Sequence, residues 1–217
     1  MGSQPASALP SIAGGPAGNA RLTAWVGVIL LGLFALQGVT LLSLGGLISV
    51  HLFVGGVLIP IVLLKLATTS WRMTRYYRGA HPYVAAGRPP LPLRLLGPLV
   101  VLTSLAVLGT GLALAFVGHR ADGPFTTIAG FGVSALTLHQ ASAIAWIAAT
   151  APHVLARLLP AVRLTTPVGG RRRVRGAGLR FAAIALTAGI AVTTGFLVLH
   201  VGVDWTAHST AALVPGQ

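Results

Sequence analysis

Cysteine and glutamate are absent from this 217-residue sequence, and Asp122 and Asp204 are its only acidic residues. The lack of cysteine excludes disulfides, thiolate metal sites, iron–sulfur clusters and covalently attached c-type haem. The shortage of carboxylates argues against a catalytic carboxylate pair and against a carboxylate proton relay. Any bound metal must therefore have nitrogen or oxygen ligands, and the seven histidines are the main polar chemistry that remains.

Charged residues are also scarce, at 8% of the chain, whereas 54% of the residues are apolar and the mean hydropathy is +0.84. Such values are typical of membrane proteins. Apolar runs lie near residues 23–44, 46–70, 96–117, 131–157 and 180–201. Each is long enough for one crossing, which needs about 20 residues, and none alternates as a barrel strand would. The sequence predicts an all-α membrane protein, a bundle of about five transmembrane helices.

The basic residues are distributed unevenly about these runs. Fourteen of the fifteen lysines and arginines lie at one end of the spans, and Arg120 lies at the other. The positive-inside rule then predicts a multi-pass protein of the inner (plasma) membrane, with the N-terminus and both arginine-rich loops in the cytoplasm and the C-terminus outside. We expect a disordered cytoplasmic tail at residues 1–21, the bundle at 22–201 and an outer tail at 202–217. The RRRVR run is expected to contact lipid headgroups and not nucleic acid.

Three of the histidines lie inside apolar runs: His51, His139 and His153. An ionisable side chain is costly there, and it normally faces the bundle interior with a partner. The others lie in loops or at outer span ends, where solvated positions are expected: His81, His119, His200 and His208. The three intramembrane histidines are candidate ligands, and a neutral imidazole that cross-links two helices is the alternative interpretation.

His51 and His139 are predicted to lie at one depth. Each lies one to two turns from the outer end of its helix, and at 1.5 Å per residue their depths differ by only about 3 Å. Two imidazoles so placed can ligate one haem iron from opposite helices. Gly55 and Gly56 lie one turn below His51, and Ala143 lies one turn below His139, which leaves room for a flat macrocycle.

His153 follows His139 by fourteen residues, which is about 21 Å along a helix and within roughly 40° of the same face. Together with ISVHLFVGG around His51 and the motifs LTLHQASAIAW and WRMTRYYRG, this placement resembles the membrane cytochrome b subunits of bacterial hydrogenases and formate dehydrogenases. The resemblance covers about residues 21–200. The chain also looks like actinobacterial membrane proteins of this kind, which are thought to serve molybdopterin-dependent oxidoreductases.

The resemblance implies one outer haem b with His51 and His139 as its axial ligands, so that these two residues are also the metal ligands. Arg120 is the only arginine expected at the outer end. It is therefore the candidate partner of a haem propionate, and a plain interfacial arginine is the alternative.

An inner haem would need, by the same resemblance, a histidine before a tryptophan in the first span. Here Ala24 precedes Trp25 in ARLTAWVGV, so we expect one haem and not two. His153 could hold a five-coordinate haem, bind a quinone oxygen, or form a hydrogen bond near the kink expected at Pro152. We favour the hydrogen bond.

The resulting functional prediction is a haem b electron-transfer subunit that links a quinone pool to a redox partner and performs no substrate chemistry itself. The partner, by resemblance, is a molybdopterin oxidoreductase subunit. The alternative is a haem-free membrane anchor or a carrier of small solutes or metal ions, whose histidines only cross-link helices. The absence of intramembrane carboxylates weakens the metal-transport variant.

Overall fold

The computed structural model describes residues 14–87, 90–165 and 174–212, and most of them are helical. The long helices are α1 (Gly15–Thr40), α2 (Leu44–Tyr77), α4 (Leu91–Val117), α5 (Ala135–Thr165) and α6 (Ala177–Val201). The short elements are α3 (His81–Ala85), α7 (Val203–Ala212), two 3₁₀ segments at Leu41–Ser43 and Gly118–Asp122, and the strands β1 (Thr126–Ile128) and β2 (Phe131–Val133).

Four helical stretches within the described ranges are long and apolar enough to cross a membrane. They are Gly15–Tyr77, Leu91–Val117, Ala135–Thr165 and Ala177–Val201. The first is 63 residues long and consists of α1, a 3₁₀ turn and α2. Its helical path is broken at Ser43 (φ −148°, ψ 65°) and Leu47 (φ −119°, ψ 15°). The predicted class, a helical protein with membrane-spanning segments, is confirmed at this level.

The break allows α1 and α2 to lie side by side in opposite directions. The Asn19 amide donates to the Thr68 carbonyl at 3.0 Å, and Lys65 Nζ donates to the Thr23 carbonyl at 2.6 Å. At the other end, the Gln37 amide donates to the His51 carbonyl at 3.2 Å. Residues early in α1 therefore meet residues late in α2, which defines an antiparallel helical hairpin.

The remaining long helices pack around this hairpin. α2 packs closely against α6, α4 packs against α5, and α1 contacts α5 as well as α2. A Cβ placed on Gly56 would lie 2.8 Å from Gly195 Cα, so glycines on α2 and α6 permit the backbones to touch. The Phe34 and Trp146 rings, 4.5 Å apart, join α1 to α5.

The bundle has two chemically different ends. One, here called the hairpin end, holds the α1–α2 turn, the 3₁₀ segment Gly118–Asp122, the antiparallel β1–β2 pair and α7. Trp205 of α7 fastens this end by donating from Nε1 to the Leu114 carbonyl at 2.9 Å. The other, here called the arginine end, holds the start of α1, the α2–α4 connection and the start of α6.

The outer surface of the bundle is apolar. Large hydrophobic side chains extend outward from the bundle, such as those of Leu42 (85% exposed), Leu155 (73%) and Phe181 (74%). The buried core is apolar too, and it includes Val26, Val54, Leu58 and Ala191. A soluble protein would cover its surface with more polar side chains, so the exposed apolar rim fits a lipid environment.

The element boundaries differ from the sequence-based ones mainly at the ends of the spans. α1 begins at Gly15, inside the tail expected at residues 1–21, with Pro16 in its first turn. The expected outer tail from residue 202 contains α7. Residues 1–13 and 213–217 of the two expected tails lie outside the described residues.

Candidate functional site

His51 lies near the beginning of α2, at the hairpin end, and its ring is held by α1. Thr40 Oγ1 is 2.8 Å from His51 Nδ1, and the Thr40 hydroxyl is itself 2.6 Å from the Gln37 carbonyl, to which it can only donate. Because that donation uses the only hydroxyl hydrogen, Thr40 Oγ1 accepts from Nδ1–H. This arrangement leaves His51 Nε2 with its lone pair, which is the atom a metal would bind.

The Gln37 side chain covers the same ring. Its Nε2 lies 3.1 Å from His51 Nδ1 and 3.2 Å from His51 Nε2, and it also donates to the His51 carbonyl. Its Oε1 is buried and has no hydrogen-bond partner within the described part of the chain. The hydrogen-bonding capacity of the Gln37 amide is therefore only partly used in this position. Gln37 is also the side chain that a ligand on His51 Nε2 would displace.

His139, near the beginning of α5, is held in the same manner by α4. Thr110 Oγ1 lies 3.1 Å from His139 Nδ1 and donates to the Ala106 carbonyl at 2.7 Å. Ser142 Oγ, 3.1 Å from Thr110 Oγ1, is committed to the His139 carbonyl at 2.8 Å. Thr110 thus accepts from Nδ1–H, and His139 Nε2 keeps its lone pair.

A glycine allows the His139 ring to lie against α4. A Cβ on Gly111 would be 3.0 Å from His139 Cε1 and 3.4 Å from Nδ1. The sequence analysis did not single out Thr40, Thr110, Gln37 or Gly111. Depth narrows the search to hydroxyl residues at the level of a histidine on the next helix, but it does not show which of them face the ring.

The structure places His51 and His139 at the same end of the bundle, one near the beginning of α2 and the other near the beginning of α5. In the described residues α2 and α5 are not tightly packed on one another, and α1 and α4 each contact both of them. The two imidazoles therefore lie on helices that face each other diagonally across the bundle.

The small residues expected beside the histidines have different surroundings. The atom nearest to a Cβ on Gly55 would be Gln37 Nε2, at 3.8 Å, so Gly55 is on the His51 side of α2. Gly56 is not, because its Cβ position meets the backbone of Gly195 and Thr194, and this glycine serves the packing of α2 on α6. Ala143 is half-buried on α5, one turn beyond His139.

Arg120 lies in the 3₁₀ segment at the hairpin end, at the same end of the bundle as His51 and His139. It is exposed and lines a surface groove with Val201 and Asp204, next to the end of α4. In the described part of the chain, no contact joins Arg120 to either histidine. His200, another histidine at this end, is exposed, as expected for an interface position.

His153 lies toward the arginine end, away from the other two. Its Nδ1 is buried and has no hydrogen-bond partner in the described part of the chain. The expected hydrogen bond of His153 stays a prediction. Its electrostatic neighbours are Arg157 and Lys65. Ala24 is buried on α1, where it offers no ligand.

The donor set limits the groups that this chain could hold. Among residues 14–87, 90–165 and 174–212, no group of three or more histidine and acidic side chains could hold a metal ion. Two imidazoles whose Nδ1 atoms are committed and whose Nε2 lone pairs are held by no more than the Gln37 amide fit a haem, because its porphyrin already supplies four nitrogens and needs only two axial ligands. Displacement of Gln37 is the adjustment that this fit requires.

No protein-family model matches the chain, and neither a curated protein nor a solved structure matches it. The resemblance to membrane cytochrome b subunits rests on span order, histidine placement and the short motifs quoted above.

Proposed function

We propose that the chain is a membrane haem b electron-transfer subunit in which His51 and His139 are the axial ligands. The observation that carries the proposal is that the two imidazoles have the same hydrogen-bond arrangement. Each donates Nδ1–H to a threonine whose own hydrogen is committed to a carbonyl, so both Nε2 atoms are left as lone pairs at one end of the bundle. Such outer hydrogen bonds orient metal-binding histidines and raise their basicity.

The proposed topology has five crossings, because the stretch Gly15–Tyr77 folds back on itself at the 3₁₀ turn and counts as two. In this arrangement the arginine end is cytoplasmic and the hairpin end is outside, as fourteen of fifteen basic residues favour. The haem would then lie toward the outer face, in a plasma membrane. One haem per chain is proposed, since Ala24 occupies the position from which the inner ligand would come.

The residues of this chain would act by positioning and by excluding water. Thr40 and Thr110 would hold the two rings, and Gly111 would let the His139 ring lie against α4. Gly55 and Ala143 would admit a flat ring system, and Arg120 would neutralise a propionate. A bound haem would supply one-electron transfer, which no side chain here provides. By the resemblance, the electrons pass between a quinone and a molybdopterin oxidoreductase subunit.

A spectrum tests the proposal most directly. The protein is produced with an adequate haem supply, purified in a mild detergent and examined by reduced-minus-oxidised absorption. The expected result is a low-spin b-type spectrum with one haem per chain in a pyridine haemochrome assay. A purified, folded protein with no haem absorption would overturn the assignment, and two haems per chain would show that a further ligand completes a site at His153.

The second candidate is a haem-free membrane anchor, and the same hydrogen bonds favour it. Thr40–His51 joins α1 to α2, and Thr110–His139 joins α4 to α5, so both histidines already act as helix cross-links. In that case His51→Gln and His139→Gln variants, which keep a hydrogen-bonding group, should retain the full thermal stability of the unsubstituted chain. Under the haem proposal the same variants lose the cofactor and its stabilisation.

A further inference from the structure

A group of basic side chains lies inside the half of the bundle nearer the arginine end. Lys65 on α2 and His153 and Arg157 on α5 are electrostatically coupled, as are Arg157 and Arg72. The positive charges of this group are those of Lys65, Arg72 and Arg157. All four side chains are partly buried. Like charges gathered away from water repel one another at a cost that grows as the local dielectric constant falls.

Lys65 reaches sideways into the bundle. The Asn19–Thr68 hydrogen bond sets the register of α1 against α2 and puts Thr23 at the level of Lys65, whose Nζ donates to the Thr23 carbonyl at 2.6 Å. The same Nζ is 2.9 Å from the position of a Cβ on Gly27. A lysine in a membrane helix usually extends toward the nearer interface. Lys65 instead extends toward α1, where Gly27 lacks a side chain and so leaves room for the ammonium group. This position indicates that Lys65 has a role inside the bundle.

His153 and Arg157 of α5 lie at about the same depth as Lys65. α1 ends and α5 begins at the hairpin end, so the two helices run in opposite directions, and the Phe34–Trp146 contact sets their register. Seven residues from that contact toward the arginine end are Gly27 and His153, and eleven residues from it are Thr23 and Arg157. At 1.5 Å per residue, Lys65, His153 and Arg157 therefore lie beside the turn of α1 between Thr23 and Gly27.

The chain has no counter-charge for them. Its only acids, Asp122 and Asp204, belong to elements at the hairpin end. The helix dipole does not replace an acid, because its effect is confined to the last turn. Lys65 lies twelve residues before the end of α2 and Arg157 eight residues before the end of α5.

Three polar atoms in the same region are buried without a hydrogen-bond partner in the described residues. They are Thr23 Oγ1, Thr150 Oγ1 and His153 Nδ1. Thr150 and His153 are three residues apart and so share a face of α5. The two hydroxyls and the imidazole nitrogen can donate or accept, whereas the ammonium and guanidinium groups only donate, so a partner common to all of them must offer acceptors. The positive charges of Lys65 and Arg157 favour a negatively charged one.

We infer that the space between α1, α2 and α5 at the level of Thr23 binds an oxyanion of the phosphate class, with Lys65 and Arg157 as its charged ligands. The site is independent of the haem proposal, since neither His51 nor His139 belongs to it. A phosphate group offers several acceptor oxygens to converging donors. It can arrive on an anionic lipid, because the site lies near the cytoplasmic interface in the proposed topology, or as free phosphate.

The test compares anion binding by the full-length protein in a neutral detergent. Native mass spectrometry measures retention of phosphatidylglycerol, with phosphatidylcholine as the uncharged reference and inorganic phosphate as competitor. The variants are Lys65→Met and Arg157→Met, and the matched control is Arg163→Met, which removes the same charge from an exposed position on α5. Lys65→Arg and Arg157→Lys keep the charge and show whether a loss reflects charge or misfolding.

The unsubstituted chain and the Arg163→Met protein are expected to bind phosphatidylglycerol alike, and the two cluster variants about tenfold more weakly. The charge-preserving variants should bind within a few-fold of the unsubstituted chain. Displacement of the lipid by millimolar phosphate would identify a soluble anion as an equal ligand, and resistance to it would identify the lipid. Equal binding by all variants, or no binding of either probe, would overturn the inference.

Discussion

At the scale of single residues, the hydrogen on each threonine hydroxyl decides what the neighbouring histidine can do. A hydroxyl has one hydrogen and can accept as well, so a threonine that donates to a carbonyl of its own helix turns its lone pairs toward another donor. Thr40 and Thr110 both do so, and both face an imidazole Nδ1. The tautomer of each ring is therefore set by the backbone of a neighbouring helix.

The first prediction concerns the two imidazoles themselves. His51→Ala and His139→Ala should each abolish the low-spin haem spectrum, because a six-coordinate iron needs both axial nitrogens. Insertion should be unchanged, since it depends on apolar spans. His153→Ala is the matched control, an intramembrane histidine that should leave the spectrum intact. A full spectrum from His51→Ala protein inserted at normal levels would redirect the search to His119 and His200.

The second prediction concerns the threonines. Thr40→Val and Thr110→Val keep the shape of the side chain and remove the acceptor, so haem affinity should fall about tenfold. The midpoint potential should rise, because a less basic imidazole stabilises the oxidised iron less. Thr193→Val on α6 is the control, since that hydroxyl is exposed and bonds only to its own helix. An unchanged potential in both site variants would remove the threonines from the site.

The histidines could be identified from the sequence, but their partners could not. An ionisable side chain in an apolar run is a strong local signal, and it selected His51, His139 and His153. A threonine in such a run is common and usually bonds to its own helix, as Thr187 and Thr194 do here. Only the relative rotation of α1 on α2 and of α4 on α5 distinguishes Thr40 and Thr110 from the rest.

At the scale of helices, glycine determines how closely two of them approach. Gly56 on α2 and Gly195 on α6 leave no space for a side chain, since a Cβ on Gly195 would be 2.8 Å from the Phe53 ring. Gly189, on the same helix as Gly195, has no atom within 4 Å of its Cβ position. The apolar sequence predicts both helices, but it does not show which glycines are buried between them.

The third prediction follows from this contrast. Gly56→Ala should lower the thermal stability of the purified protein, because overpacking a backbone contact costs about 1–3 kcal/mol. Gly189→Ala should leave stability unchanged or raise it slightly, since alanine favours a helix by about 1 kcal/mol over glycine. Thermal unfolding in one detergent compares the pair. Equal or higher stability of the Gly56→Ala protein would mean that α2 and α6 are farther apart than described.

The spans were predictable from apolar runs, and their ends were not. The runs near residues 46–70 and 131–157 correspond to helices that continue to Tyr77 and Thr165. These extensions contain Arg72 and Arg75 in one and Arg163 in the other, and arginine lowers the hydropathy without disfavouring a helix. α7 was missed because VDWTAHSTAA is short and of mixed polarity, and Trp205 holds it in place through a contact with α4.

At the scale of the whole molecule, charge is separated along the axis of the bundle. Among the described residues, every lysine and arginine except Arg120 lies toward the arginine end, while both acids belong to elements at the hairpin end. The two proposed sites are separated along the same axis, with the haem ligands at the hairpin end and the oxyanion site toward the arginine end. An electron carrier with this layout would exchange electrons near one face and be anchored by anions near the other.

The last prediction places these ends in the cell. Alkaline phosphatase folds only outside the cytoplasm, so an insertion at Gly130, at the tip of the β1–β2 hairpin, should be active if the hairpin end is external. A fusion after Gln217 should be active too, because five crossings from a cytoplasmic N-terminus end outside. A fusion at Arg173 is the internal control and should be inactive. Activity at Arg173 with none at Gly130 would reverse the orientation. A C-terminus on the same side as the N-terminus would reduce the number of crossings to four. In that case Gly15–Tyr77 would not traverse the membrane twice.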